Sequence, residues 1–305
     1  MVRSVGVGDR DRRPDDGASR RLRADAGRYW NAHPIAVDSV EFPPGSRESF
    51  DALYARWRET IDEHRERFLA ACRGRRVLEV GCGTARDGRY LVENGIDYRA
   101  VDASRRSLAF AREHFSQRGL PARFANADAT SLPFADGAFD LVYSIGVVHH
   151  VPDWERACRE IARVTAPGGT LRVMVYNRHS YHYALVRWVV CPLIRLMLYV
   201  PPLAPLARLG PRKLRELLEI ARVHGASRET LLAASTDTST AGEGNYNPLS
   251  YLLTEAELRR VFAGTEDAEC FRMDLKYFPL PFLRGWVERR FGFFLTLTAR
   301  KPARG

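Results

Sequence analysis

Between Arg75 and Tyr176, short apolar runs alternate with stretches that are apolar only at helical spacing. The runs are "RRVLEVG", "YRAVDAS", "ARFANAD", "FDLVYSIG" and "GGTLRVMVY". A short continuous apolar run bounded by turn residues reads as a strand buried on both faces. Between the runs, residues 85–94, 106–118 and 153–164 read as helices. Buried strands alternating with helices predict right-handed crossovers and a mostly parallel sheet, so the expected class is α/β.

The flanks differ. Residues 1–27 are rich in Arg, Asp and Gly with almost no apolar content, which predicts an unstructured tail. Order is expected from "RYWNAHPIAVDSVEFPPGS", with Tyr29, Trp30 and Phe42 as anchors, and a helix over 48–72 follows; residues 28–72 then form an N-terminal helical lid segment. After His179 the alternation stops. Residues 179–225 read as helical and apolar, and 226–247 as a polar loop. "TEAE", Thr254 to Glu257, reads as a capping box opening a short helix. "CFRMDLKYF" and "FGFFLTLTAR" read as a closing antiparallel pair on the sheet edge, joined by a tight return. A core over 73–178 and 265–302 is therefore interrupted by a helical cap over 179–264.

The net charge of +10 changes this picture little, because the excess is arginine spread along the chain; the only lysines are Lys213, Lys276 and Lys301. Diffuse charge does not make a nucleic-acid face. The five cysteines are scattered with no C-x-x-C pair, which argues against a disulfide framework or zinc site and predicts a reducing, cytoplasmic setting. No apolar segment follows the N-terminal charges, so no secretory signal is expected. The apolar stretch "WVVCPLIRLMLYVPPLAPLA" is broken by Arg195, Pro192, Pro201, Pro202 and Pro205. Its longest charge-free piece, residues 196–207, is shorter than the ~20 residues a bilayer span needs. Two readings stand: a cap over an apolar pocket, or a helix making peripheral membrane contact.

The candidate chemistry sits in "VLEVGCGTARDG", Val77 to Gly88. A Walker loop would need a lysine, which is missing. A dinucleotide fingerprint needs a third glycine where Arg86 stands, and a side chain there crowds the backbone's approach to pyrophosphate. The acids suit a ligand without phosphate. Glu79, just before the turn, repels phosphate and matches an ammonium. Asp102 ends the next strand, where a carboxylate accepts both ribose hydroxyls. Asp128 ends the third strand, placed for an adenine amino group. Together they describe a nucleoside carrying an amino acid and a positive sulfur, S-adenosylmethionine.

With "VLEVGCGTARDG", "VDAS", "NADATSLPF", "FDLVYSIGVVHHVPD" and "APGGTLRVMVYN" in this order, the chain resembles the class I S-adenosylmethionine-dependent methyltransferases. Closest in flavour are the small-molecule enzymes of the ubiquinone and menaquinone biosynthesis type. The resemblance implies a Rossmann-like seven-stranded sheet with helices on both faces. It places Gly81, Cys82 and Gly83 under the methionine part, Asp102 on the ribose, and Ala103 and Ser104 beside the adenine. Asp128 and Ala129 would close on the adenine, Ile145 and Gly146 sit near the reacting sulfur, and Asp87 approach the ammonium. The departure is Ala85, where many members carry a glycine.

Methyl transfer is an in-line displacement from an activated donor, so alignment is the main task. A base is needed only for a hydroxyl, an acidic carbon or a protonated amine; His149 and His150, just past the fourth strand, are the candidates. His179 and His182 form an H-x-x-H pair with no third ligand in evidence, so no metal is expected. Tyr176, Asn177 and Arg178 are expected on the acceptor side, with Tyr29 and Trp30 closing from the N-terminal side. Tyr246 and Asn247, in "GEGNYNPLSY", are expected in a lid. The apolar cap argues for a small apolar acceptor methylated on oxygen, carbon or nitrogen, in secondary or quinone metabolism. Three rivals remain beside it. A nucleic-acid methyltransferase of the amino-methylating type would carry [DN]-P-P-[YF] where this chain reads "SIGV". A membrane-surface enzyme would take a lipid or quinone. A non-catalytic binder would use the fold as a scaffold, against which the three intact acids weigh.

Overall fold

The computed structural model describes residues 16–34, 40–59, 63–200, 202, 203, 205, 212–236, 249–275 and 278–303. Its strands are β1 (Arg76–Val80), β2 (Asp97–Asp102), β3 (Phe124–Asn126), β4 (Phe139–Ile145), β5 (Thr165–Tyr176), β6 (Glu266–Met273) and β7 (Phe294–Arg300). They form one seven-stranded sheet in the order β3-β2-β1-β4-β5-β7-β6. The first five are parallel, and only the β4–β5 pair shifts register, between Phe139 and Leu141. β7 runs against them: Gly168 and Lys301 pair near one end of β5, and Asn177 and Phe293 near the other. Arg300 at the end of β7 meets Asp267 at the start of β6, while Phe293 donates to the Asp274 carbonyl at the opposite ends. The expected antiparallel pair at the edge is present. The return between its strands is not tight, however. It holds a 3₁₀ turn (Pro281–Leu283) and helix α12 (Arg284–Phe291), where Val287 supplies the buried contact.

The remaining helices are α1 (Asp16–Ala32), α2 (Arg47–Glu59), α3 (Glu63–Ala71), α4 (Arg86–Glu93), α5 (Arg105–Ser116), α6 (Trp154–Val164), α7 (Tyr181–Leu185), α8 (Cys191–Tyr199), α9 (Arg212–His224), α10 (Arg228–Thr236) and α11 (Glu255–Val261). Two expectations are corrected. The tail predicted over residues 1–27 is helical from Asp16, because Leu22 and Ala26, one turn apart, are both buried. The loop predicted over 226–247 contains α10. Ser227 Oγ accepts the Thr230 amide at its start, and Leu231, Leu232 and Ala234 are buried.

The chain divides into two compact units. The first comprises Gly27–Met174, Glu255–Cys270 and Leu297–Gly305. Register puts Val77, Tyr98, Ala100, Leu141 and Tyr143 on one face of its sheet, and that face packs on Trp57, Phe68, Leu91, Leu108, Ala111 and Phe115. Lys301 closes α6 by donating to the carbonyls of Ala162, Arg163 and Thr165 at 2.9, 3.2 and 2.7 Å, a cation on the negative end of the helix.

His114 of α5 lies in the same unit, stacked on Phe50 and bonded through Nδ1 to the Thr84 carbonyl (3.1 Å). Burial drives its imidazole from 6.5 to about 4. The unfolded chain therefore takes up the proton first as pH falls. Stability is complete above pH 6.5 and is lost on the way down to about 4. We expect roughly 2–3 kcal/mol to vanish over that window, and the slope to flatten in His114→Gln. Urea midpoints across the window check it; equal slopes in both proteins would refute it.

The second unit comprises Met1–Ala26, Val175–Thr254 and Phe271–Thr296. Here α7 passes through a π turn (Val186–Val190) into α8. Val186, Cys191, Ile194 and Met197 pack on Leu217, Leu218, Ala221, Leu231 and Leu232, so the cap has a core of its own. Its outer surface carries Trp188, Val189, Leu196 and Tyr199 exposed. No described helix is long and apolar enough to cross a membrane.

Candidate active site

The bend after β1 needs left-handed backbone three times in five residues: Gly81 at φ 83°, Gly83 at 54° and Ala85 at 54°. Gly81 and Cys82 donate to the Val101 carbonyl at 2.7 and 3.2 Å, folding the loop over the end of β2. A Cβ on Gly81 would stand 2.3 Å from Val147 Cγ2, so the site allows no side chain. A Cβ on Gly83 would meet nothing within 4 Å; this glycine leaves an open cradle. Ala85 adopts the glycine conformation at the N-cap of α4, with no side-chain cap, at a cost of about 1–2 kcal/mol.

Asp102 binds the loops together. Its Oδ2 accepts the Gly83 amide (2.8 Å) and its Oδ1 the Ser104 amide (2.7 Å). Burial pushes the carboxyl up from its ordinary value, and the two amides pull it back only in part. Asn126 Nδ2 donates to the carbonyls of Asp102 and Ala103, each at 2.9 Å, fixing this corner from β3. Ser104 caps α5 by accepting the Ser107 amide (3.0 Å), and its hydroxyl donates to the Trp30 carbonyl (3.2 Å).

That contact brings in the last turn of α1. Asn31 Oδ1 accepts the Arg106 amide (3.1 Å), and Arg106 Nη1 donates to the Ala32 carbonyl (2.9 Å). The Trp30 ring lies 5.0 Å from His150, and Tyr29 lies 5.1 Å from Trp30. Trp30 thus connects the corner after β2 with the turn after β4. In that turn (Val148–His150) the two histidine rings are 4.0 Å apart. His149 is fully buried; burial, then the neighbouring His150, hold it well below the usual imidazole range, so it stays neutral. Ile145 ends β4, and Gly146, at φ 75°, donates to the Met174 carbonyl (3.1 Å).

Asp128 Oδ1 accepts both the amide and the hydroxyl of Thr130 at 2.8 Å, a tight turn that buries Ala129. Glu79 is committed beneath the loop. The Tyr98 hydroxyl donates to its Oε2, and the register puts Tyr143 beside it. Burial first, then Glu79, hold both phenols well above their usual range, so they stay donors. Tyr98 reaches Glu79 because Gly88 of α4 has no side chain: a Cβ there would stand 2.4 Å from the ring. Asp87 is buried in the first turn of α4.

Gly83, Asp102, Ser104, Trp30 and His150 are thus tied together directly, Gly81 and Cys82 through Val101, and Ala103 through Asn126. Tyr176, Asn177 and Arg178 belong to the second unit. There Tyr176 packs on Phe293 and Phe294, Asn177 donates to the Gly292 carbonyl (2.9 Å), and Arg178 donates to the Leu252 carbonyl (2.7 Å). Tyr246 and Asn247 lie outside the described residues. His182, in the same unit, meets Ser235 Oγ at 3.2 Å; no metal-binding cluster occurs among the described residues. Asn126, His114 and Gly88 were missed in the sequence. Arg172 was missed too, although an arginine inside "TLRVMVY" is a visible signal. It pairs in register with Tyr143 and lies 4.5 Å over the Phe68 ring.

The donor set fits S-adenosylmethionine. A bare backbone bend with an open glycine adjoins a buried carboxylate, and acids stand where a phosphate ligand would need cations. The comparisons agree. A family model described as a methyltransferase domain matches residues 78–173. The methyltransferase GfsG of Streptomyces halstedii is 36% identical over 118 residues, 38% of this chain and 42% of that protein. The 2-methyl-6-phytyl-1,4-hydroquinone methyltransferase of Synechocystis is 32% identical over 182 residues, 56% and 52% of the two chains. A ubiquinone biosynthesis O-methyltransferase of Cereibacter sphaeroides is 34% identical over 171 residues, 54% and 65%. The chain spans about half the length of the first curated relatives it matches.

Proposed function

We propose that the chain, whose residues 78–173 match a methyltransferase domain, is a class I S-adenosylmethionine-dependent enzyme that methylates a small, largely apolar metabolite. The observation that carries this reading is Asp102, whose carboxylate joins the amides of both loops beside the open Gly83. When bound, the cofactor supplies a methyl group activated by a positive sulfur.

The chain's own residues then bind and align. Asp102 accepts the ribose hydroxyls. The backbone of Gly81, Cys82 and Gly83 underlies the methionine part, with Asp87 toward the ammonium and Glu79 supporting the bend from below. Ala103, Ser104, Asp128 and Ala129 frame the adenine, while Ile145 and Gly146 border the reacting centre. Trp30 and Tyr29 close the cofactor from the N-terminal side and keep water out. Where the acceptor is a hydroxyl, His150 takes its proton, and the neutral, sealed His149 holds the His150 ring in place. The quinone-related names of several relatives support a hydroquinone-like or phenolic acceptor class.

A panel of phenols and hydroquinones with labelled methyl donor tests the reading. His150→Asn is expected to lose about a hundredfold in kcat while binding cofactor normally. Full turnover by that variant at every pH would remove the proton-holding role. A wild-type protein that neither binds the donor nor methylates any acceptor would remove the function. A second reading, an acceptor drawn from a lipid surface, is favoured by Trp188 and Tyr199 standing exposed on the cap.

A further inference from the structure

The segment from Pro279 to Trp286 presents eight consecutive exposed residues, "PLPFLRGW". Phe282 is 81% exposed and Trp286 50%, one helical turn apart, and Leu280, Leu283 and Phe291 are exposed with them. Single exposed apolar side chains are ordinary; five within twelve residues form a patch that calls for a partner. Arg284, Arg289 and Arg290 stand exposed in the same segment, against one acid, Glu288. The Arg290 guanidinium lies 4.8 Å over the Trp286 ring, so cation and aromatic are held together as one unit. Val287 is buried and anchors α12, which leaves the aromatic side free without loosening the helix.

We propose that the 3₁₀ turn and α12, residues 281–291, dock this chain on an anionic phospholipid bilayer. Phenylalanine and tryptophan insert at the headgroup–acyl boundary, and arginines pair with lipid phosphates; a short basic aromatic segment has the composition for both. Trp286 suits that depth because its ring is apolar at one end and wet at the other. The surplus of arginine, three against one acid, complements a negative surface. A second copy of the chain is the poorer occupant. A two-fold contact would bring the same three arginines against themselves, and like charges facing each other oppose association. The segment belongs to the second unit and includes none of the residues assigned to cofactor, and the proposal does not depend on the methyl-transfer reading.

Vesicle co-sedimentation of the full chain tests it, with phosphatidylcholine alone and with phosphatidylcholine plus phosphatidylglycerol. Wild type is expected to partition at least about tenfold more onto the anionic vesicles, and to be released by salt. Phe282→Ser with Trp286→Ser should abolish binding to both. Arg289→Gln with Arg290→Gln should lose only the anionic preference, and this pair carries the test should the aromatic pair lower the melting temperature. Trp188→Ser with Tyr199→Ser on the cap should leave binding in place. The proposal is overturned if wild type stays in the supernatant, if the α12 variants bind as wild type does, or if only the cap variants lose binding. A dimer in sedimentation velocity that Phe282→Ser with Trp286→Ser dissolves would overturn it in favour of self-association.

Discussion

Alanine at Gly81 is expected to leave the folded protein unable to hold S-adenosylmethionine at concentrations that saturate the wild type. Gly81 sits at φ 83°, where a Cβ costs about 1–2 kcal/mol. That atom would also stand 2.3 and 2.5 Å from the two methyl carbons of Val147. Valine is stiff at its first torsion, so it cannot swing aside cheaply; overpacking of this kind costs about 1–3 kcal/mol. Together these amount to roughly 2–5 kcal/mol, or about thirtyfold to several thousandfold in affinity. Two comparisons isolate the cause. Gly83→Ala has the backbone penalty alone, because open space faces it, and should bind better than Gly81→Ala. Trimming the neighbour in Gly81→Ala with Val147→Ala should recover part of the loss. Calorimetric titration reads all three, and wild-type affinity in Gly81→Ala would show that the bend carries no ligand.

Asp102→Ala is expected to weaken cofactor binding by about 3–4 kcal/mol, a few hundredfold, with a smaller loss of thermal stability. The carboxylate holds the Gly83 and Ser104 amides as well as the proposed ribose hydroxyls, so its removal loosens both loops at once. Its pH behaviour separates it from other contacts. Because burial raises its pKa, the proton returns at a higher pH than for an exposed aspartate. Binding that needs the carboxylate is therefore present above that raised value and lost as pH falls through it. In Asp102→Asn this acid limb should be missing; an unchanged limb would assign it to another group.

Strands buried on both faces leave continuous apolar runs, and β1, β4 and β5 were legible for that reason; β2 and β3, partly exposed, were legible from their place between helical stretches. The capping signal at Thr254 likewise announced α11. Helices with few apolar residues were not legible. Within residues 21–28 of α1 only Leu22 and Ala26 are buried, and α10 packs its buried run, Thr230 to Ala234, into nine residues that start and end polar. The acids of the site were visible, but their partners were not. Glu79 pairs with Tyr98, and Asp102 with Gly83, each across 19 residues, while Ser104 reaches Trp30 across 74. Such pairings depend on which strand ends lie side by side, and a linear pattern does not record that. Gly88 shows the same limit: a helix glycine reads as a weakness until the Tyr98 ring is found against it.

Within the first unit, the last turn of α1 is fastened lightly to the corner after β2. Three hydrogen bonds, from Ser104 and twice from Arg106, and one tilted ring contact fasten its last turn. At about 1 kcal/mol apiece, release costs only a few kcal/mol and leaves a sub-per-cent population ajar. On the proposed role of Trp30 as a cover over the cofactor, a door of that weight is expected to swing in microseconds to milliseconds, quick enough to let spent donor out between turnovers.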